Sequence, residues 1–139
     1  LINQSGTLRI GALRQAFQDC MTQYCGVFRT EELMRDGIQE LSKLQEQYQQ
    51  IYLDDKGNSW NTELIEALEL RSLMVVGQII LTSALNRQES RGAHSREDYP
   101  ERDDSNFLKH TLAYYSPAGI DLQYKLVNLS LFEPQERKY

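Results

Sequence analysis

Cysteine, proline and glycine are all thin in this 139-residue sequence, at two, three and eight residues. Cys20 and Cys25 stand five apart in a stretch of helical pattern, where their Cα atoms fall beyond the ~7 Å that a disulfide tolerates. They read as unpaired, buried thiols of a reducing compartment, and no further Cys or His lies near them at a zinc-like spacing. The glycines are scattered, at 6, 11, 26, 37, 57, 77, 92 and 119, so neither a G-x-G-x-x-G turn nor a P-loop exists to cradle a pyrophosphate. No cofactor is therefore expected on this stretch. A G-x-S-x-G elbow and an H-E-x-x-H helix are also missing. The two histidines, His94 and His110, lie far apart on different elements, and neither a metal site nor a catalytic base follows from them. An excess of basic charge is missing as well: 15 Lys and Arg against 20 Asp and Glu leave a net charge of -5, the wrong sign for nucleic acid or anionic lipid. The longest apolar run, 73–85, is broken by Gln78 and Ser83. It falls short of the ~18 apolar residues of a membrane span and reads as a buried helix. The opening "LINQSG" starts on Leu1 and lacks the basic start and apolar run of a signal peptide, so the chain reads as part of something longer.

What is present is ordinary globular composition, 40% apolar and 25% charged, at the length of one domain with one core. Ile10, Leu13, Phe17, Met21 and Tyr24 recur at helical spacing and predict a first helix over about 8–25, with Gly26 placed to stop it. Thr30 is a candidate cap, and Glu31 and Glu32 complement the positive end of a second helix. That helix is predicted over about 31–53, on a stripe of Leu33 or Met34, Ile38, Leu41, Leu44, Tyr48 and Ile51. Gly37 reads as a weak point there, worth ~1 kcal/mol against alanine. A turn at 54–58 contains Gly57 and Asn58, both tolerant of positive φ. A third helix over about 61–88 follows, with Asn61 as its cap and Trp60 and Ile65 placed to staple its start.

The third helix is one-faced up to Leu68 but apolar nearly all round from Leu73. A bundle helix buries only one stripe, so something further must cover this one: the C-terminal segment, a second copy of the chain, or polypeptide outside it. Beyond a charged loop at 89–106, "SPAG" separates two strand-like runs and predicts a β-hairpin in the segment 107–139. The alternation of its second strand slips at Val127, which predicts a bulge or a strand end there. The expected fold is mainly α: a three-helix, spectrin-repeat-like bundle followed by a small β-hairpin extension.

The loop "ESRGAHSREDYPERDD" (89–104) carries three arginines, six carboxylates and a histidine. It reads either as a solvated, salt-bridged loop or as a docking surface whose guanidiniums donate to carbonyls or carboxylates of a neighbouring domain. On the second reading the docking residues are Arg91, Gly92, His94, Arg96, Arg102 and His110.

At these residues the sequence resembles the C-terminal domain of the flavoprotein subunit of succinate dehydrogenase and fumarate reductase. The resemblance is carried by residues 60–112, "WNTELIEALELRSLMVVGQIILTSALNRQESRGAHSREDYPERDDSNFLKHTL". It extends more weakly to 27–44 and to the ending, where Pro134, Arg137 and Tyr139 match the family and Glu133 replaces a proline. The resemblance implies FAD in the full-length subunit, interconversion of succinate and fumarate, and catalytic groups upstream, so no catalytic residue is assigned here. It implies the chain's own upstream FAD-binding domain and an iron-sulfur subunit as partners. It also implies a cytoplasmic place, peripheral to the inner face of a membrane, without insertion. L-aspartate oxidase is the nearest sibling, with a similar Ser-Arg-Gly-x-His loop. A freestanding helical interaction module is the alternative from a different class.

Overall fold

The computed structural model describes residues 1–135; the family-like Arg137 and Tyr139 lie outside the described residues. Three long helices, α1 (Ile10–Tyr24), α2 (Glu31–Gln47) and α3 (Thr62–Asn86), form the bundle. A hairpin of β5 (Lys109–Ser116) and β6 (Gly119–Leu126) extends it. Two-residue parallel pairings tie the connections: β1 (Leu8–Arg9) with β3 (Ile51–Tyr52), and β2 (Phe28–Arg29) with β4 (Ser95–Arg96). One core joins Ile10, Leu13, Phe17 and Cys20 of α1 to Met34, Leu41 and Leu44 of α2 and Leu70, Met74 and Leu81 of α3. Both cysteines are unpaired, with Cys20 buried.

Helix α1 ends at Tyr24 without a left-handed glycine, since Gly26 is not among the positive-φ residues. Its terminal carbonyls are taken instead by Arg29, whose Nε donates to Gly26 O at 2.9 Å and Nη2 to Cys25 O at 3.4 Å. Thr30 caps α2 as predicted, Oγ1 accepting from the Leu33 N–H at 3.3 Å. Helix α2 stops at Gln47, short of the expected 53, and passes through a 3-10 turn at Tyr48–Gln50 into β3. The apolar residues that prolonged the helical pattern serve a strand equally well: Ile51 and Leu53 are two apart and both point into the core. Tyr48 remains in the core and donates to Ala67 O at 2.8 Å.

Asn61 caps α3, accepting from Leu64 N–H at 2.8 Å, while its amide donates to Asp55 O and Gly57 O, each at 2.9 Å. The hydrophobic staple does not form. The left-handed residue of the turn is Trp60 itself (φ 58°), not Gly57 or Asn58, and its indole stands 99% exposed while Ile65 is 56% exposed.

Helix α3 has three working faces, as its 3.6-residue period allows. Ala67, Leu70, Met74, Gly77, Leu81 and Ala84 are buried in the bundle. The side with Val75, Thr82 and Asn86 meets the hairpin, where Tyr115 and Leu122 share clefts with it and Tyr124 Oη donates to Asn86 Oδ1. On the third face Ile65, Leu68, Leu73, Val76 and Ile80 stay exposed. The hairpin therefore covers part of the all-round apolar half and leaves the rest bare.

The hairpin turns through Pro117 and Ala118, with Ser116 opposite Gly119 (φ 132°) and Lys109 opposite Leu126. β6 ends at Leu126, so the slip in alternation at Val127 marks a strand end.

Gly37 proves to be a point of close approach between helices. A Cβ there would lie 2.5 Å from Tyr24 Cβ, a carbon that cannot swing aside. Gly37→Ala is expected to destabilise by ~1–3 kcal/mol through overpacking, against the ~1 kcal/mol gained in helix propensity. Gly11→Ala, in open space on α1, keeps the gain alone. Urea denaturation of the two variants checks the opposite signs.

Candidate docking corner at the end of α3

The last turn of α3 leaves backbone carbonyls without helical partners, and what satisfies them defines this corner. Arg96, 1% exposed, donates through Nη1 to the carbonyls of Leu85 (3.1 Å), Ala84 (3.3 Å) and Arg87 (3.3 Å). Its Nε and Nη2 form a bidentate pair with Asp98, both at 2.7 Å, and its guanidinium lies 4.9 Å over the Tyr99 ring. Asp98 also accepts from the Glu31 N–H at 2.8 Å, at the positive start of α2. The Arg96 hydrogen bonds, aided by that N–H, hold the Asp98 carboxyl at about 2. One arginine thus joins the end of α3 to the start of α2.

Glu89 is the second hub and is fully buried. It accepts from Arg91 Nε and Nη2, both at 2.9 Å, from the Asp103 N–H at 2.9 Å, and from Arg87 Nη1. Burial alone pushes its carboxyl up, but the bonds from Arg91, the Asp103 N–H and Arg87 outweigh that and leave it below the usual range. Arg87 also donates to Phe107 O (2.9 Å), Lys109 O (2.6 Å) and Thr111 Oγ1 (3.2 Å), tying the hairpin to α3. Asp104 bridges Arg102 and Arg91, which hold it at about 2.

His94 sits between two helix ends. Arg29 Nη1 lies 3.1 Å from its Nδ1, and its Nε2 lies 3.1 Å from Arg87 O. A guanidinium only donates, so Nδ1 accepts and Nε2 carries the proton. Burial, together with the charges of Arg29, Arg96 and Arg87, pushes the imidazole below its ordinary value despite the bond to the carbonyl. Gly92 (φ 59°) makes the turn, with Arg91 and His94 exchanging backbone bonds at 2.8 and 3.0 Å.

The structure brings Arg91, Gly92, His94, Arg96 and Arg102 into one network, whereas exposed His110 stands on β5 opposite Lys125. His110 reaches the corner only as part of the wall of a cleft of about 600 Å³ that Ile80, Arg87, His94 and Val127 also line. Within this chain the loop arginines already have partners. Arg91, Arg96 and Arg102 all donate to this chain's own carboxylates and carbonyls, the last reaching Gln135 O at 2.9 Å. The loop is neither loosely solvated nor an array of reaching cations. Four participants went unnoticed in the sequence. Glu89 and Arg87 had a local signal, a carboxylate flanked two residues away on each side by arginine, while Arg29 and Asp98 are brought in only by folding.

The described residues form a helical bundle with a hairpin strapped to α3 and an internally braced ionic corner. The chain belongs to the family described as "Fumarate reductase flavoprotein C-term", which matches residues 14–139. It is 40% identical over 142 residues to a fumarate reductase flavoprotein subunit of Proteus vulgaris, spanning all of this chain and 24% of that protein. It is 41% identical over 127 residues to a succinate dehydrogenase flavoprotein subunit of Rickettsia conorii, covering 91% of this chain and 21% of the relative. A solved E. coli quinol fumarate reductase, FrdA, superposes with a TM-score of 0.90 at 38% identity, over 96% of this chain and 23% of that one. The chain spans about a quarter of the length of these relatives.

Glu89→Ala removes the buried carboxylate that Arg87 and Arg91 share, leaving Arg91 with Asp104 alone. The expected loss is ~3 kcal/mol, at the low end for a broken buried pair, because the two arginine side chains keep 15% and 27% exposure. Thermal melting of Glu89→Ala beside Glu89→Gln checks this, the amide retaining one acceptor and losing less.

The pH dependence follows from the directions of shift. With His94 lowered in the folded state, the unfolded chain takes up the proton first as pH falls. The His94 contribution is therefore fully present above about pH 6.5 and is lost as pH falls through the lower folded value. A second loss follows as pH drops below the ordinary carboxylate value of about 3.8 toward about 2, where Asp98 and Asp104 protonate. Urea midpoints between pH 8 and 2 should show both steps, with His94→Gln removing the first.

Proposed function

We propose that this chain is the helical buttress of a flavin-dependent subunit that interconverts succinate and fumarate, lying against an FAD-binding domain that precedes it. The observation that carries the proposal is the bare third face of α3, with Ile65, Leu68, Leu73, Val76 and Ile80 exposed after bundle and hairpin have taken the other two. A row of apolar side chains over four turns is what a domain interface covers. Family membership and the greater length of the relatives support an upstream domain as the cover.

Two features of the described residues support placing FAD outside them. Thr30 and Asn61 already occupy the first turns of α2 and α3, and the corner guanidiniums are committed to internal partners. When bound upstream, the flavin supplies hydride chemistry at N5. This chain contributes shape. Arg91, Gly92, His94, Arg96 and Arg102 hold the corner rigid, and the docking surface they present is the cleft wall with His110 and the adjoining face of α3. Electrons leave through an iron-sulfur subunit, and the complex lies at the inner face of a membrane. No helix among the described residues is long and apolar enough to cross one.

Val76→Glu places a charge on the bare face without touching the core. In the full-length subunit it is expected to lower flavin retention and succinate-dependent dye reduction several-fold, while the 139-residue chain melts as before and is colourless. Wild-type flavin content and turnover in the Val76→Glu subunit would refute docking through this face.

A further inference from the structure

Trp60 is the single tryptophan of the chain, and its side chain is almost completely exposed on a residue of positive φ (58°). Both features are unfavourable in the domain alone, because a large indole is left in water and the left-handed region crowds a Cβ. Nor is the exposure a consequence of slackness. The Asn61 amide binds Asp55 O and Gly57 O, the Gly57 N–H binds Asp55 Oδ1 at 2.7 Å, and the Asp55 N–H binds Glu63 Oε2 at 2.9 Å. The backbone on both sides of Trp60 is therefore braced, while the indole itself stands in solvent.

The start of the chain runs to the same end of the bundle. Thr7 N–H donates to Gln50 O at 2.9 Å, Gln4 Nε2 donates to Gln49 O, and a Cβ on Gly6 would collide with Gln50 O at 1.8 Å. Ile2, Asn3 and Ser5 line a cleft with Leu53, Asp54 and Lys56, the residues that lead into the Trp60 turn. On the reading under Proposed function, polypeptide joined to Leu1 would arrive next to this turn.

We infer that Trp60 is an anchor for the polypeptide that precedes Leu1: an exposed indole on a braced turn that fills an apolar pocket of the upstream domain. The inference deepens the reading under Proposed function and rests on it, naming the residue that fixes the entry end of the interface. Tryptophans placed in this way dominate binding at desolvated interfaces.

The test compares Trp60→Ala, Trp60→Gly and Trp60→Phe in the full-length subunit and in the 139-residue chain. In the short chain Trp60→Ala is expected to leave the melting temperature unchanged and Trp60→Gly to raise it by relieving φ. In the subunit both lower it and speed proteolytic cleavage at the junction before Leu1 at least several-fold, while Trp60→Phe recovers most of the wild-type behaviour. Equal effects in the two proteins, or no effect in the subunit, overturn the inference. So does concentration-dependent dimerisation of the short chain that Trp60→Ala abolishes, because the occupant would then be a second copy. A wild-type subunit that binds no flavin overturns the functional reading instead and leaves the Trp60 comparison to be read on its own.

Discussion

A carboxylate removed from water between two guanidiniums is expensive to assemble and more expensive to disturb, and the buried Glu89 is in that position. Arg91 and the Asp103 N–H hold it from the loop side, while Arg87 reaches past it to the carbonyls that begin the hairpin. The hub shares with Arg96 the task of fixing the loop after α3, and with Arg87 that of fixing the start of the hairpin. Arg96 and Asp98 extend the same logic to the start of α2, and Arg29 carries it through His94 to the end of α1. Each bundle helix thus has one terminus bound into a single ionic corner, which makes the corner the joint of the domain.

Such a joint explains how an acidic chain with no catalytic spacing is still rich in arginine where α3 ends. Guanidinium geometry suits carbonyls and carboxylates at the same time, as in Arg96, which serves three carbonyls and one carboxylate at once. Lysine has neither the span nor the planarity to do this. The bracing is internal, and the large apolar groups left outside it include the third face of α3 and, at the other end, the indole of Trp60.

Much of the fold was legible from spacing. The α1 and α2 stripes, the caps Thr30 and Asn61, the hairpin turn at Pro117 and the strand end before Val127 are all local consequences of neighbouring residues. Errors arose where one pattern serves two structures. Ile51 and Leu53 fit both the continuation of a helix and a buried strand, and only pairing with Leu8 and Arg9 selects the strand. Gly37 looked like a helix weakness because its crowding by Tyr24 comes from another helix.

Sequence alone determined the class of the domain, its helix starts and its family, because these depend on residue type and short-range order. Tertiary structure alone decided that the loop arginines turn inward, that Arg29 belongs to the corner, and that Trp60 rather than a glycine takes the left-handed turn. Those outcomes depend on which carbonyls and carboxylates folding brings within about 3 Å of a donor, a distance that no reading along the chain contains.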